Sequence, residues 1–455
     1  MMKKFDVVVL GSGPGGYSLA NILSLNKLKV ALIEKNDLGG TCINKGCIPT
    51  KTLIKSAKVY EMLKNAEEYG LLAQNIKFDF KKIQQRRIDN KNFFNNSIKK
   101  QLELNNITFF NGYGEVLNDH SIKIGDQIIY FDKLVLATGA RSKMINLDGL
   151  EQSKKNGYLI DSDDALYLEN PLESMIIIGD GSIGLEFAYL YSTFGTKITI
   201  LTNTNFLEKF DIDIQNSVKQ YFKEKNIDFI DNINIKKIDN NRVYFGDDKF
   251  LEAKKILLAI GRQPNNESFE QIDIKKDKDG FVIVNEHMKT NFDNIYAIGD
   301  VTGLNLLSSV AYKTGDIVAR DILKSNESEK LNRNLIPWAI YLNPEIAGIG
   351  LSEQQLTKKN IEFEKIIISS KKLPRAYADN FANDNYFIKF LISKKTNEIL
   401  GCFMMIENAN LLINHIALFM EQKLNFDRLQ KSIYTHPTLS EAFYYSSRIK
   451  SIKSK

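Results

Sequence analysis

One short pattern occurs twice in this chain, and each copy dictates the same local fold. Residues 4–16 read KFDVVVLGSGPGG, an apolar β-branched run that ends in Gly11-x-Gly13-x-x-Gly16. A helical stretch, YSLANILSLN, follows at once, and then a second apolar run, KVALIE, closes on Glu34. Each glycine has a physical task. Gly11 permits a tight turn, Gly13 lets the backbone approach a pyrophosphate, and Gly16 lets the helix pack close to the strand. The helix start offers free N–H groups and a positive dipole end to an anion. Glu34 lies 23 residues after Gly11, where a carboxylate can accept hydrogen bonds from both ribose hydroxyls of an adenosine. A lone GxGxxG is weak evidence; strand, glycines, helix, strand and acid in register are specific.

The second copy is SMIIIGDGSIG, residues 174–184, giving Gly179-x-Gly181-x-x-Gly184 before the helical LEFAYLYSTFG and the strand KITILT. Two such units predict an α/β protein with two Rossmann-like dinucleotide-binding domains and two nucleotide cofactors. At the position equivalent to Glu34 the second unit has Thr202. An acid there would favour NAD, and a nearby Arg would accommodate the 2′-phosphate of NADP. The stretch TNTNFLEK supplies neither at the expected place. Thr and Asn can still hydrogen-bond a hydroxyl, so NAD(H) is expected and NADP(H) stays open.

Bulk properties narrow the function classes. A chain of 455 residues is too long for one ordinary domain. With 61 basic and 55 acidic residues the net charge is +6, spread thinly and without the basic stripe of a nucleic-acid protein. No run approaches the roughly 18 apolar residues that span a bilayer. No leader can be fitted ahead of the first strand, so a cytoplasmic protein is expected. Three cysteines exclude a secreted disulfide framework. The basic end, residues 448–455, reads as a frayed tail.

Two of the cysteines call for a chemical reading. Residues 38–51 read LGGTCINKGCIPTK, with Cys42 and Cys47 five positions apart. Buried structural cysteines are the plain alternative, because free Cys is among the most buried residue types. Zinc is another, but no further His or Cys pair completes four ligands, and no metal is expected. The paired Gly39-Gly40, Gly46, Lys51 and the helical run after Cys47 favour a redox dithiol. A helix N-terminus or a Lys lowers a thiol's pKa, as an attacking sulfur requires.

The four histidines differ in context. His120 and His287 sit among polar residues, and His415 lies on an apolar helical stretch, NLLINHIALFME. His436 precedes a proline, and Glu441 follows five residues on. That spacing suits a base and the carboxylate that orients it. The near-neutral pKa of imidazole suits proton exchange with a thiol.

At the segment GGTCINKGCIPTK the chain resembles the two-cysteine flavoprotein disulfide reductases, and within them the dihydrolipoamide dehydrogenase branch. The resemblance runs nearly end to end. It includes ATGA (Ala137 to Ala140), the second glycine motif with Glu186, AIGRQPN, YAIGD, YLNPEIAGIG and HPTLSEA. It implies FAD on the first unit, held by Gly11, Gly13, Gly16, Glu34, Gly114, Thr138, Gly139 and Asp300. NAD would sit on Gly179, Gly181, Gly184, Thr202 and Gly261. Cys47 would face the flavin and Cys42 the substrate, with Lys51 paired to Glu186. Arg262 matches the family's GRxPN turn, where a structural role is equally open. His436 and Glu441 would reach the active site of the partner subunit of a homodimer. Lipoyl domains of 2-oxoacid dehydrogenase or glycine cleavage complexes would be the partners. Two departures stand out: Tyr434 replaces a second His, and a His common after YAIGD is replaced in SSVAY by Ser309 or a neighbour.

The expected organisation is a FAD-binding domain at 1–148, an NAD(P)-binding domain at 149–265, a central segment 266–334 that returns to the FAD site, and a C-terminal α+β dimerisation domain at 335–455. Polar stretches at 151–158 and 324–334 mark two of the boundaries. A glutathione-type reductase would prefer NADPH and carry Lys where Thr50 stands. A thioredoxin- or mercuric-type enzyme would carry a further redox pair near its C-terminus. A purely structural subunit would not need Cys42, Cys47 and His436 intact.

Overall fold

The computed structural model describes residues 3–247, 249–325 and 330–453. Its first sheet grows from the strand Lys3–Leu10, whose VVVL run is buried on both faces as parallel central strands require. This strand pairs in parallel with Val30–Glu34 on one side and Gln127–Leu136 on the other. Thr108–Asn111 extends the sheet beyond Val30–Glu34. Gln127–Leu136 uses its remaining edge twice. Its first half pairs antiparallel with Ser121–Ile124, and its last three residues pair in parallel with Ile295–Ala297. A segment more than 150 residues downstream thus completes the first sheet.

The chain leaves Lys3–Leu10 toward one edge and returns on its other side. That reversal opens a crevice at the carboxyl ends of the strands, the usual ligand position in such sheets. Gly11 stands there with φ 109°, and a Cβ on it would lie 2.2 Å from the carbonyl oxygen of Ala137. Only glycine fits.

The second sheet repeats the plan. Its order is Asp228–Ile230, Lys197–Leu201, Ser174–Ile178, Lys255–Leu258 and Leu159–Ile160, all parallel. Gly179 has φ 113°, and a Cβ there would meet the carbonyl oxygen of Ala259 at 2.4 Å. A two-stranded ribbon, Ala140–Ser142 with Arg262–Pro264, ties the two units together.

The C-terminal sheet is antiparallel, in the order Trp338–Ile340, Glu345–Gly350, Ile399–Ile406, Phe387–Ser393 and Phe363–Ser369. Ile388, Phe390 and Ile392 face the helix Ala409–Glu421 and the C-terminal helix Glu441–Lys453. Phe387 and Leu391 face the second nucleotide unit. Period-two alternation thus supplies both cores from one strand.

The polar stretch 151–158 is partly helical: Leu150–Lys155 is a helix with Leu150 and Ser153 buried, and Ser153 Oγ donates to Asn240 O at 2.6 Å. One expectation is corrected: residues 448–453 of the basic end continue the last helix, and residues 454 and 455 lie outside the described residues. The last helix runs through Lys453, with Ser446 and Ser447 buried and Ser447 Oγ bonded to Phe426 O at 3.2 Å. Of the boundary at 324–334, residues 326–329 lie outside the described residues. Among the described residues, no helix is long and apolar enough to cross a membrane.

Candidate active site

Gly39 and Gly40 bring the cysteine segment down onto the first glycine loop. Both have positive φ, and a Cβ on Gly40 would lie 2.7 Å from Gly13 Cα. The short helix Gly40–Asn44 that follows carries Cys42. Asn44 pins it, its amide donating to the carbonyls of Asp37, Leu38 and Gly40. Cys47 is the first residue of the helix Cys47–Lys64, where unpaired N–H groups and the helix dipole favour a negative sulfur. Its Sγ lies 3.1 Å from Ser308 Oγ, at the start of the helix Ser308–Ile322.

These surroundings split the two thiols. A hydrogen bond from Cys42 lowers Cys47 to about 6; burial opposes this, while Ser308 and the charge of Lys51 add to it. Cys42 is pushed far up, first by giving that hydrogen bond and then by burial. These surroundings favour the anion on Cys47 over Cys42.

Lys51 sits one turn after Cys47, so helical geometry sets it on the same side. Its Nζ lies 2.9 and 2.8 Å from the two carboxylate oxygens of Glu186. Burial works against its charge, but the facing Glu186 outweighs it and the ammonium is held protonated. Glu186 Oε1 also accepts from the backbone N–H of Tyr341 at 3.1 Å, and the Lys51 ammonium lies 4.5 Å from the Tyr341 ring centre. Glu34 is buried and fully engaged, with Oε2 accepting from Ser12 N and Ser12 Oγ, each at 2.9 Å.

The remaining candidates of the first unit gather at the same crevice. Thr138 Oγ1 donates to Asn265 O at 2.8 Å, and Asn265 Nδ2 returns a bond to Thr138 O at 2.9 Å. Gly139 (φ 70°) faces open space, as does Gly13. A Cβ on Gly114 would meet side chains of Leu10, Ile122 and Ile33, so glycine there lets the central strands close up. Asp300 lies in the turn Gly299–Thr302 after the Ile295–Ala297 strand. Burial raises its carboxyl, and the charge of Arg262 pulls the other way. Arg262 Nη2 donates to Ala140 O, while its buried Nε has no hydrogen-bond partner among the described residues. In the second unit Gly181 and Gly261 face open space, Gly184 packs on Gly179, and Thr202 is buried.

His436 and Glu441 form a pair as their spacing predicts. His436 Nδ1 lies 2.9 Å from Glu441 Oε1, and Thr438 N donates to Oε2 at 2.9 Å. Burial opposes its ionisation, but these bonds hold the Glu441 carboxyl below its ordinary range. The imidazole is 65% exposed while the Glu441 side chain is 10% exposed. Nε2 is thus turned outward. Among the described residues of one chain, no hydrogen bond joins His436 to Cys42 or Cys47. Tyr434, in place of a second His, packs edge-on against Phe443.

Three contacts escape sequence reasoning. The residue that meets Cys47 is Ser308; Ser309 points outward. The hydroxyls of Tyr17 and Tyr312 hydrogen-bond to each other, their rings edge to face at 6.1 Å. Burial raises both phenols, and the charge of the dithiol adds to it. The third is Tyr341 against Lys51. Tyr312 follows Ser308 by four residues on one helix, and that spacing was the signal available.

Comparison with known proteins agrees with this architecture. Residues 5–315 match the pyridine nucleotide-disulphide oxidoreductase family, and residues 336–446 match the dimerisation domain of the same proteins. The chain belongs to this family. Among its relatives, the dihydrolipoyl dehydrogenase of Mycoplasma genitalium is 33% identical, with 96% of each chain covered. That of Bacillus subtilis is 31% identical, with 97% of each covered. Among solved structures, the HOCl-induced flavoprotein disulfide reductase RclA from Escherichia coli superposes with TM-score 0.87 at 28% identity, covering 98% of this chain and 100% of that one.

Proposed function

We propose that this protein is a homodimeric dihydrolipoyl dehydrogenase. It oxidises protein-bound dihydrolipoamide through the Cys42–Cys47 pair and delivers the electrons to NAD+. One observation carries the reading. Cys47 opens a helix, has its Sγ 3.1 Å from Ser308 Oγ, and has the Lys51–Glu186 pair one turn away, surroundings that favour its thiolate. The names of the full-length relatives supply the substrate class.

The crevice of the first unit fits FAD. The Gly13 and Gly139 backbones are open, Glu34 is fixed toward the ribose position, and the half-buried Asp300 stands at the same strand ends. Gly11, Gly16, Gly114 and Thr138 shape that cradle. The second unit offers the equivalent cradle to the nicotinamide dinucleotide, through Gly179, Gly181, Gly184, Thr202 and Gly261. When bound, the flavin supplies the two-electron link between dithiol and nicotinamide.

The chain's own residues perform the thiol chemistry. A thiolate of dihydrolipoamide attacks Cys42 Sγ in the Cys42–Cys47 disulfide, and Cys47 leaves as a thiolate. Its low pKa makes it the better leaving group. The second substrate sulfur then attacks the mixed disulfide, releasing lipoamide and the Cys42 thiol. His436, from the partner subunit and oriented by Glu441, accepts the substrate's proton at Nε2. Lys51, kept charged by Glu186, holds a positive charge beside Cys47. The domains divide at about 148, 265 and 334, with 335–455 forming the subunit interface. Lipoyl domains of 2-oxoacid dehydrogenase or glycine cleavage complexes are the partners, in the cytoplasm.

Turnover of purified protein tests this against a small-disulfide reductase. Dihydrolipoamide with NAD+ should give sustained turnover, and glutathione disulfide with NADPH should give at most background. No lipoamide turnover with either nucleotide would overturn the assignment.

A further inference from the structure

The two nucleotide units agree so closely in backbone that one side-chain exchange between them becomes informative. Gly11 and Gly179 have φ 109° and 113°. Their built Cβ atoms would meet the carbonyls of Ala137 and Ala259 at 2.2 and 2.4 Å, and those of Gly16 and Gly184 would meet Gly11 O and Gly179 O at 2.0 and 2.2 Å. Between the first two glycines the first unit has Ser12, and the second has Asp180. At the end of the next strand the first has Glu34, and the second has Thr202. Hydroxyl and carboxylate have changed places.

In the first unit these two positions touch, with Ser12 N and Oγ both bonded to Glu34 Oε2. The side chain between the glycines is thus directed to the ribose-binding acid. Asp180 takes the same direction: its Oδ2 accepts from Leu207 N at 2.5 Å, in the loop that follows Thr202. Thr202 is buried, with its hydroxyl 3.5 Å from Thr204 Oγ1. No Arg or Lys lies between Thr202 and Glu208.

We propose that Asp180 provides the ribose-facing carboxylate that Thr202 cannot, and that it selects NAD(H) over NADP(H). The inference rests on the reading that the second unit binds a nicotinamide dinucleotide. A carboxylate at this place accepts from ribose hydroxyls and repels a 2′-phosphate. The plain alternative is that Asp180 only caps the loop at Leu207.

Calorimetric titration of the FAD-loaded protein with NAD+ and with NADP+ separates the two. The wild type should bind NAD+ more tightly, by about tenfold or more, as for a hydrogen bond to a charged group. Asp180→Asn keeps an oxygen for Leu207 N but loses the charge, and should bring the two Kd values together. Asp180→Ser combined with Thr202→Glu rebuilds the first unit's arrangement and should restore the NAD+ preference. An Asp180→Asn protein with the wild-type Kd ratio, or a wild type without preference, would overturn the assignment. Failure of the wild type to bind either nucleotide would instead overturn the underlying reading of the second unit, and this inference with it.

Discussion

In the proposed reaction Cys47 meets two requirements with one sulfur. It must leave easily from a disulfide, and it must persist as an anion in a half-buried place. The helix start, the Cys42 thiol, Ser308 and Lys51 supply what burial removes. Because its pKa is lowered to about 6, the thiolate is present above that pH and is lost as pH falls through it. The thiolate–flavin charge-transfer absorbance of the two-electron-reduced protein should follow that titration. In Ser308→Ala the midpoint should move to higher pH, and an unmoved midpoint would remove Ser308 from the account. Much at this scale was legible. Glu186 opposite Lys51 and Glu441 beside His436 are found as written. Ser308 was not legible as a Cys47 partner, because 261 residues separate them and only the packed first sheet brings its helix beside the dithiol.

Among the elements, the strand Phe387–Ser393 carries an unusual burden. Alternation turns Phe387, Lys389 and Leu391 toward the second nucleotide unit, and Lys389 is fully buried. Its Nζ lies 2.8 Å from Asp211, 2.6 Å from Asp213 and 2.6 Å from Glu353. Burial disfavours the ammonium, and the three carboxylates together override it. Two of them belong to the cap and first turn of the helix Ile212–Glu224, so this cluster bolts the C-terminal sheet to the second unit. Lys389→Met leaves the carboxylates unpaired and should cost about 3–5 kcal/mol. A large drop in the urea midpoint of the holoprotein checks this; a change below about 1 kcal/mol would show the cluster to be incidental. Nothing in the sequence marks Lys389, which reads as one lysine among many. The glycine-flanked strands and helices were legible, because turn geometry and period announce them locally. The helix at Leu150–Lys155 and the packed last helix were not, because their polar sequences hide a few buried contacts made with distant strands.

As a whole molecule, the protein joins two equivalent cradles through one ribbon and sets the dithiol against the first. Its C-terminal residues match a dimerisation domain, and His436 presents an exposed imidazole with no hydrogen bond to Cys42 or Cys47 among the described residues. In the proposed function, electrons that enter at the second cradle emerge at Cys42 and Cys47. Anaerobic alkylation with iodoacetamide, read by mass spectrometry of the peptide holding both cysteines, tests that directly. Cys402 is buried, and burial pushes its thiol up, so it serves as the unreactive reference. The account predicts that Cys42 and Cys47 of the oxidised holoprotein resist labelling and become labelled after one equivalent of NADH. Equal labelling with and without NADH would contradict it.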